Sequence, residues 1–352
     1  MSDNRSTDHA RPAFLITIDT EGDDLWSRPR AVQTRNAGSL PRFQALCERH
    51  HLKPVYLTNW EMANSTVFQA LARDAQRRGT AEIGMHLHAW DSPPLAPLTA
   101  DDCAFHPYLV EYPEPILREK VHALTARLED QFQMKMVSHR AGRWAFDATY
   151  ARALVDEGYR VDCSVTPHVS WRATLGDPSR EGGTDYSACP EAAYWVDQED
   201  IRRPGDGPLL EVPVTIVANP ALPRAIARSG HGRWRDTADA RLGSRVLRKV
   251  LPPWLWLRPT GRNLRHLLAV LDVATRERRP YVEFMLHSSE LMPGGSPTFP
   301  TGPSIETLYA DLERLFATAH ERFRGMTLSQ YYDSFVAARP LHGAAASGGE
   351  SC

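Results

Sequence analysis

Cysteine is scarce in this 352-residue sequence, and its five copies are scattered singly along the chain. No CxxC pair or zinc-finger spacing occurs, so the sequence indicates neither a disulfide framework nor a cysteine-ligated metal site. Long apolar runs are missing as well, and none approaches the ~20 residues that a membrane helix requires. We therefore expect no transmembrane segment, and reduced thiols at Cys47, Cys103, Cys163, Cys189 and Cys352.

The chain also lacks an excess of charge of either sign. Lysine and arginine number 41 against 43 aspartate and glutamate residues, which gives a formal net charge of -2. This near-neutral balance, with the arginines spread along the chain, gives no electrostatic footprint for nucleic acid. The content of 42% hydrophobic residues and the chain length predict an ordinary globular protein with a sizeable core.

The two ends of the chain differ in composition from its middle. Residues 1–12 are polar and lack the apolar segment of a signal peptide, which predicts a cytoplasmic protein. Residues 337–352 are rich in alanine, glycine and serine. We expect both ends to be disordered and residues 13–336 to form a single domain.

Two short apolar runs each end in a pair of side chains that can bind a metal ion. One run ends in Asp19 and Glu21, and the other ends in His86 and His88. In an extended chain, residues i and i+2 point to the same face, so each pair projects together. Carboxylates and imidazoles in this arrangement favour a mixed nitrogen and oxygen metal site. The alternative is that one histidine packs in the core and the other lies in a loop.

The order of the remaining segments predicts that the two pairs meet. Apolar runs alternate with stretches of helical spacing, a pattern that favours parallel strands joined by crossover helices. The carboxyl ends of such strands lie at one end of the sheet or barrel. We predict about seven strands, with long irregular excursions at residues 91–113 and 168–208. The fold class is therefore α/β, and the strands that open the chain are predicted at residues 13–18, 54–57 and 81–85.

Other polar side chains also follow predicted strands. Together they supply what a metal-dependent hydrolase needs: a carboxylate that accepts a proton from water, a histidine that protonates the departing amine, and an arginine that holds the carboxylate. Each also has a plain structural interpretation, such as a helix cap for Asp19 or a turn for Asp162. The candidates are Arg140, Arg143, Trp144, Asp162 and His287.

The order of these motifs resembles the polysaccharide deacetylase superfamily, also called NodB homology or carbohydrate esterase family four. The resemblance extends over about residues 13 to 335 and implies a distorted (β/α)7-type barrel. The phrases EIGMHLHAWDSPP, HRAGRW and FMLHSSEL are similar to a divergent cytosolic branch that is often called WalW-like.

The resemblance assigns roles to the first two motifs. The family's TFDDG becomes Thr17-Ile18-Asp19-Thr20-Glu21-Gly22, which implies that Asp19 is the catalytic base. Thr20 stands where the family has a metal-binding aspartate, so Glu21 is the candidate substitute. In the family motif His-(Ser/Thr)-x-x-His, His86 matches the first ligand. Trp90 occupies the position of the second ligand, which His88 is expected to replace; His106 is a further possibility.

The later motifs supply the remaining roles. By resemblance Arg140 contacts the catalytic base, Asp162 loosely matches the fourth motif's aspartate, and His287 is the catalytic acid. Substrate-binding positions are expected at Trp90, Arg143, Trp144 and Glu290. For Arg143 a solvated or salt-bridged side chain is an equal alternative to a clamp on an anionic group.

The implied activity is removal of an N-acyl group, such as acetyl, from an amino sugar or glycan precursor. The expected cofactor is a divalent metal, with Zn²⁺ favoured and Co²⁺, Ni²⁺, Mn²⁺ or Fe²⁺ also compatible with these ligands. Two alternatives stay open: hydrolysis of another C–N amide on the same fold, and a glycan-binding protein that has lost the metal. Thr20 and Trp90 motivate the second alternative. The sequence does not indicate an oligomeric state.

Overall fold

The computed structural model describes residues 11–29, 31–176, 179, 182–222 and 252–338. The termini that were predicted to be disordered lie almost entirely outside these residues. Most of a basic stretch at 218–260, whose helical content the sequence leaves uncertain, lies outside them too. None of the helices in these ranges is both long and apolar enough to cross a membrane.

One curled sheet organises the described chain. The strands of the described chain are β1 (Ala13–Thr20), β2 (Pro54–Thr58), β3 (Glu82–Leu87), β4 (Ser138–Ala141), β5 (Val161–Asp162), β6 (Tyr194–Trp195), β7 (Leu210–Glu211), β8 (Ile216–Ala218), β9 (Trp254–Trp256), β10 (Tyr281–His287) and β11 (Arg324–Met326). In the curled sheet they follow the order β10-β1-β2-β3-β4-β5-β7-β6, and β11 pairs with the first half of β1. All neighbours are parallel except β6 and β7, which are antiparallel. Two further strands, β8 and β9, form a separate antiparallel pair.

Helices connect most of the parallel strands, as the alternating pattern predicts. Asp147 and Thr327 cap helices through hydrogen bonds from the backbone N–H groups of Tyr150 and Gln330. Gly79 follows one helix with a φ of +65°, a conformation that glycine adopts without strain. The α-helices are α1 (Leu40–Arg49), α2 (Trp60–Ala63), α3 (Thr66–Arg77), α4 (Asp102–Phe105), α5 (Glu114–Phe132), α6 (Ala148–Asp156), α7 (Leu264–Arg276), α8 (Gly302–Arg322) and α9 (Leu328–Ala337).

The two faces of the sheet bury different sets of side chains. Residues of β1 alternate between them: Leu15 packs in a small interior cluster, while Ile16 packs in the large cluster beneath the helices. This alternation is what the period of two in a strand requires. Because both faces are covered, β1 and β2 are largely apolar, and the charged side chains of the site follow near the carboxyl end of β1.

The curl brings the segment after β7 back towards β10. The hydroxyl of Thr215 accepts a hydrogen bond from the N–H of Glu283, and the hydroxyl of Tyr281 donates to the carbonyl of Pro213. Pro213 has no N–H to donate to a neighbouring strand, and β7 ends two residues before it, at Glu211. The curled half-barrel confirms the predicted α/β fold class.

Candidate active site

Three buried side chains converge at the carboxyl ends of β1 and β3. The Oε2 atom of Glu21 lies 3.5 Å from Nε2 of His86 and 3.3 Å from Nε2 of His88. One ligand atom from each residue falls within 4.8 Å of the other two. Among the described residues, this group is the one with three side chains placed to hold a metal ion. The structure thus brings together the three residues that the sequence nominates as ligands.

Local geometry explains why Glu21, and not Thr20, faces this centre. Thr20 ends β1, and its hydroxyl donates to the carbonyl of Ile18, two residues earlier on the same strand. Glu21 shares the face of Asp19 because the two are separated by one residue. The loop beyond is anchored by Asn36, whose side-chain amide donates to the carbonyl of Glu21 at 2.9 Å. A carboxylate therefore remains at the centre although the motif position itself is occupied by threonine.

The two histidines are held differently. His86 directs Nδ1 at the carbonyl oxygen of Arg140, 3.0 Å away, so this nitrogen carries the proton and Nε2 presents its lone pair to the centre. His88 stacks on the indole of Trp90, with 4.5 Å between ring centroids and 15° between planes. Its Nδ1 lies 3.7 Å from Oδ2 of Asp91. Trp90 therefore limits the orientation of the His88 ring.

His106, the other possible ligand in the sequence, lies elsewhere. Its Nδ1 is 3.8 Å from Oε2 of Glu111, and His106 is not part of the three-residue group.

Asp19 is held by a buried arginine that spans the barrel interior. The guanidinium of Arg140 donates from Nη1 to Oδ1 of Asp19 at 2.6 Å and from Nη2 to the hydroxyl of Thr17 at 2.7 Å. The same Nη2 also donates to Glu283. Burial raises the pKa of Asp19, but the positive charge of Arg140, with a smaller contribution from His287, outweighs burial and brings it below its ordinary value. Asp19 is thus kept ionised, as a general base must be.

His287 ends β10 opposite Asp19, its partner in the β1–β10 register. Its Nε2 lies 3.6 Å from Oδ2 of Asp19 and 3.9 Å from Oε1 of Glu21. Glu290, a predicted substrate-binding residue, is buried beside the imidazole of His287, with its Oε2 atom 3.2 Å from Nδ1. The Nη2 atom of Arg258 lies 3.1 Å from Nδ1 of His287 and 3.2 Å from Oε1 of Glu290.

The charges around His287 oppose one another. Burial and the guanidinium of Arg258 lower the pKa of His287, whereas Glu21 and Glu290 raise it, and the outcome is a raised pKa. The imidazole is therefore suited to carry a proton at neutral pH. Burial raises the pKa of Glu290, but Arg258 and His287 outweigh burial and lower it to about 2, so its carboxylate remains charged.

The catalytic role expected for Asp162 does not fit its position. Asp162 pairs in register with His139, and His139 pairs in register with Met85. Register partners share a face of the sheet, and Met85 packs in the large cluster beneath the helices, so all three side chains lie on that outer face. Its Oδ1 lies 2.6 Å from Nδ1 of His139, whose Nε2 meets the hydroxyl of Tyr150 on α6. Because the strand reaches Asp162 itself, the side chain falls on the outer face, opposite Arg140 and the metal ligands. Asp162 is thus not among the side chains that the structure brings to the centre, and its catalytic role stays a prediction.

Two of the predicted substrate-binding residues follow β4 in a tight turn. Arg143 and Trp144 both have positive φ angles, 57° and 59°. The guanidinium of Arg143 lies 5.5 Å from the ring centroid of Trp90, so this arginine contacts an aromatic ring beside the centre. Trp144 lies 5.0 Å from the guanidinium carbon of Arg140 and stacks in parallel on Trp171.

Sequence reasoning missed several residues that complete the site. Glu283 is hidden within an apolar strand, where a single acidic residue in YVEFML is the only available signal. Arg258 lies in the basic stretch at 218–260, where its local sequence does not distinguish it from the other arginines. Asp91 ends the motif HLHAWD and is the first residue of the irregular segment predicted at 91–113, so the sequence does not associate it with the site. Trp26, 42% exposed, contacts the ring of His287 with 5.0 Å between centroids.

Two solved structures resemble this fold. One is a protein from Mycobacterium smegmatis, provisionally classed as a polysaccharide deacetylase, with a TM-score of 0.54 and 14% identity over 96% of this chain and 93% of its own. The other is a protein from Parabacteroides distasonis, provisionally classed as a glycoside hydrolase/deacetylase, with a TM-score of 0.57 and 12% identity over 94% and 73% of the two chains. The sequence itself matches no protein-family model and no curated protein sequence. The chain therefore shares the fold of these two proteins, as the order of its motifs predicts.

Proposed function

We propose that this protein is a metal-dependent hydrolase that removes an N-acyl group, such as acetyl, from an amino sugar or glycan precursor. The single observation that supports this proposal most strongly is the spacing of Glu21, His86 and His88. Two ligands about 2.1 Å from a tetrahedral metal ion lie about 3.4 Å apart. The distances from Oε2 of Glu21 to the two Nε2 atoms, 3.5 and 3.3 Å, fit that requirement.

Glu21, His86 and His88 would hold the metal ion. One carboxylate and two imidazoles suit Zn²⁺, and also Co²⁺, Ni²⁺, Mn²⁺ or Fe²⁺. A divalent ion bound there would polarise the amide carbonyl and lower the pKa of a water molecule.

The neighbouring side chains supply the proton transfers of amide hydrolysis. Asp19, ionised and held by Arg140, accepts a proton from the attacking water. His287 stands at the other strand end and gives a proton from Nε2 to the departing amine nitrogen. Glu290 holds Nδ1 of the same ring, so the imidazole keeps its orientation while its charge changes. Base and acid thus come from neighbouring strands β1 and β10.

The substrate class rests on the fold and on the aromatic side chains around the centre. The two similar structures are provisionally classed as deacetylases that act on carbohydrates, and this supports a glycan substrate. Trp26 is partly exposed beside His287, and Trp144 and Trp171 form a stacked pair near Arg140. Indole faces pack against the apolar faces of sugar rings. The predicted cytoplasmic location would favour a nucleotide- or lipid-linked sugar.

Metal content is the first test of this function. The purified protein should contain about one metal ion per chain, or bind one on reconstitution with Zn²⁺, and both His86→Ala and His88→Ala should lose it. His106→Ala is the matched control, since this buried histidine belongs to another pair, and the variant should keep the ion. Failure of the parent protein to bind any divalent ion would favour a metal-free glycan-binding protein.

A substrate panel then separates the two hydrolase alternatives. Release of acetate from N-acetylated amino sugars, in the parent but not in His88→Ala, would support the carbohydrate deacetylase. Turnover of formamides or other small amides, with no release of acetate from sugars, would support a different C–N hydrolase on this fold.

A further inference from the structure

Each imidazole in the three-residue centre must keep Nε2 free of its proton to bind a metal ion. The tautomer of a metal-binding histidine is set by what its other nitrogen contacts, and this partner is commonly a backbone carbonyl or a carboxylate. His86 has such a partner in the carbonyl of Arg140. The same requirement applies to His88, whose Nδ1 is buried and makes no conventional hydrogen bond to another described residue.

Asp91 is the residue placed to meet that requirement. Its Oδ2 lies 3.7 Å from Nδ1 of His88, and both side chains are largely buried, with 11% and 5% of their surface exposed. The separation exceeds an ordinary hydrogen bond by about 0.7 Å, so a small rotation of either side chain closes it. Neither carboxylate oxygen of Asp91 has a hydrogen-bond partner within the described part of the chain. Donor and acceptor are therefore both unsatisfied and face each other.

The surroundings keep the imidazole and the carboxylate in place. Trp90 stacks on the ring of His88 and limits its rotation. Glu61 also lies close to Asp91. Its Oε2 atom accepts a hydrogen bond from the side-chain amide of Asn59 at 2.7 Å. Burial, followed by the negative charge of Asp91, raises the pKa of Glu61 to about 8, so at neutral pH Glu61 adds no second negative charge beside Asp91.

We propose that Asp91 is a positioning residue for the metal centre: its carboxylate accepts the Nδ1 proton of His88 and thereby directs the lone pair of Nε2 at the metal ion. This inference rests on the proposed metal site, but it concerns affinity and ligand geometry rather than the reaction. His88-Ala89-Trp90-Asp91 is then one functional unit, in which the indole limits the ring's rotation and the carboxylate sets its tautomer.

The test is the dissociation constant for Zn²⁺, measured by competition with a chromophoric chelator, in the parent protein and in Asp91→Asn. Loss of a carboxylate partner of this kind typically lowers metal affinity 10- to 100-fold, and we expect a loss in that range. Asp101→Asn is the matched control, because Asp101 lies in the same proline-rich segment and its oxygen caps α4 through the N–H of Ala104, a contact that asparagine can keep. This control removes the same charge and should leave the affinity unchanged.

A second readout examines the ligands directly. With Co²⁺ bound, the visible absorption spectrum of Asp91→Asn should differ from that of the parent and of Asp101→Asn, because a neutral amide oxygen accepts the Nδ1 proton more weakly than a carboxylate and orients the imidazole less firmly. Thermal unfolding in the presence of EDTA reports whether the variant folds. Equal Zn²⁺ affinity and equal Co²⁺ spectra in a folded Asp91→Asn would overturn the inference while leaving the metal site intact. A parent protein that binds no metal would overturn both the site and the inference.

Discussion

The carbonyl oxygen of Arg140 accepts the hydrogen bond from Nδ1 of His86, while the side chain of Arg140 holds Asp19. His86 and Arg140 are direct neighbours in the register of β3 and β4. One residue thus orients a proposed metal ligand through its backbone and the proposed base through its guanidinium. The distance between His86 and Asp19 is consequently set by the sheet itself.

Removal of the Arg140 guanidinium should destabilise the fold. Arg140→Met leaves Asp19 and Glu283 without their buried partner, and breaking a buried ion pair in this way costs about 3–5 kcal/mol. Glu283→Gln in the same chain should recover part of this loss, because one buried carboxylate is then gone. Urea unfolding in the presence of EDTA measures both variants free of any contribution from metal. A double variant less stable than Arg140→Met would contradict this account of the interior.

Substitution of Glu21 should abolish most metal binding, whereas substitution of Thr20 should leave it intact. Glu21→Gln removes the negative charge at the centre and should release most of the bound ion. Thr20→Val is nearly isosteric, loses a single hydrogen bond to Ile18, and should retain the ion at a cost of about 1 kcal/mol in stability. Elemental analysis and thermal unfolding report the two effects. Retention of metal by Glu21→Gln together with its loss in Thr20→Val would mean that the ligand assignment is wrong.

Substitution of Asp19 should mainly lower kcat, whereas substitution of Asp162 should mainly lower the free energy of unfolding. Asp19→Asn should lower kcat by about 10²- to 10⁴-fold, as expected for loss of a general base, while metal content stays the same. Asp162→Asn should leave kcat nearly unchanged and lower the free energy of unfolding by about 1–3 kcal/mol, because His139 loses a buried partner. Steady-state kinetics and urea unfolding on both variants separate the roles. The opposite pattern would return Asp162 to the reaction.

Glu290 should set the alkaline limit of activity. Its carboxylate stabilises the protonated imidazole of His287 and so contributes to the raised pKa of that ring. Activity that needs the protonated ring is present below this pKa and is lost as the pH rises through it. Glu290→Gln removes the stabilising charge, so the alkaline limb of the pH profile of kcat/KM should move to lower pH. An unchanged limb, or one displaced to higher pH, would show that another group supplies the proton.

Much of the fold and part of the centre could be predicted from sequence because they depend on local patterns. The i, i+2 spacing of Asp19 with Glu21 and of His86 with His88 determines which face each side chain takes. The same local reasoning does not show on which face Asp162 lies, because its face is set by the pairing of Asp162 with His139 in the neighbouring strand. A single segment does not reveal such a pairing.

Other features depend on contacts between distant segments and leave no local pattern. Glu283 is one acidic residue in an apolar strand, and its role is evident only when Arg140 crosses the barrel to meet it. Arg258 follows β9, a strand whose position beside β10 is set by tertiary packing. Glu290 was assigned to substrate, but its hydrogen bond from the N–H of His287 turns it inward.

The pairing of β1 with β10 also determines when the site can exist during synthesis. Ser288 donates a hydrogen bond to the carbonyl of Glu21 across 267 positions of sequence, and Asp19 faces His287 over a similar span. Closing a loop of this length has an entropic cost and slows the formation of such contacts. A nascent chain that has not yet reached β10 would hold Glu21, His86 and His88 but no proton donor. Hydrolytic competence would therefore arise late, after most of the barrel has folded, and a prematurely terminated chain would be inert.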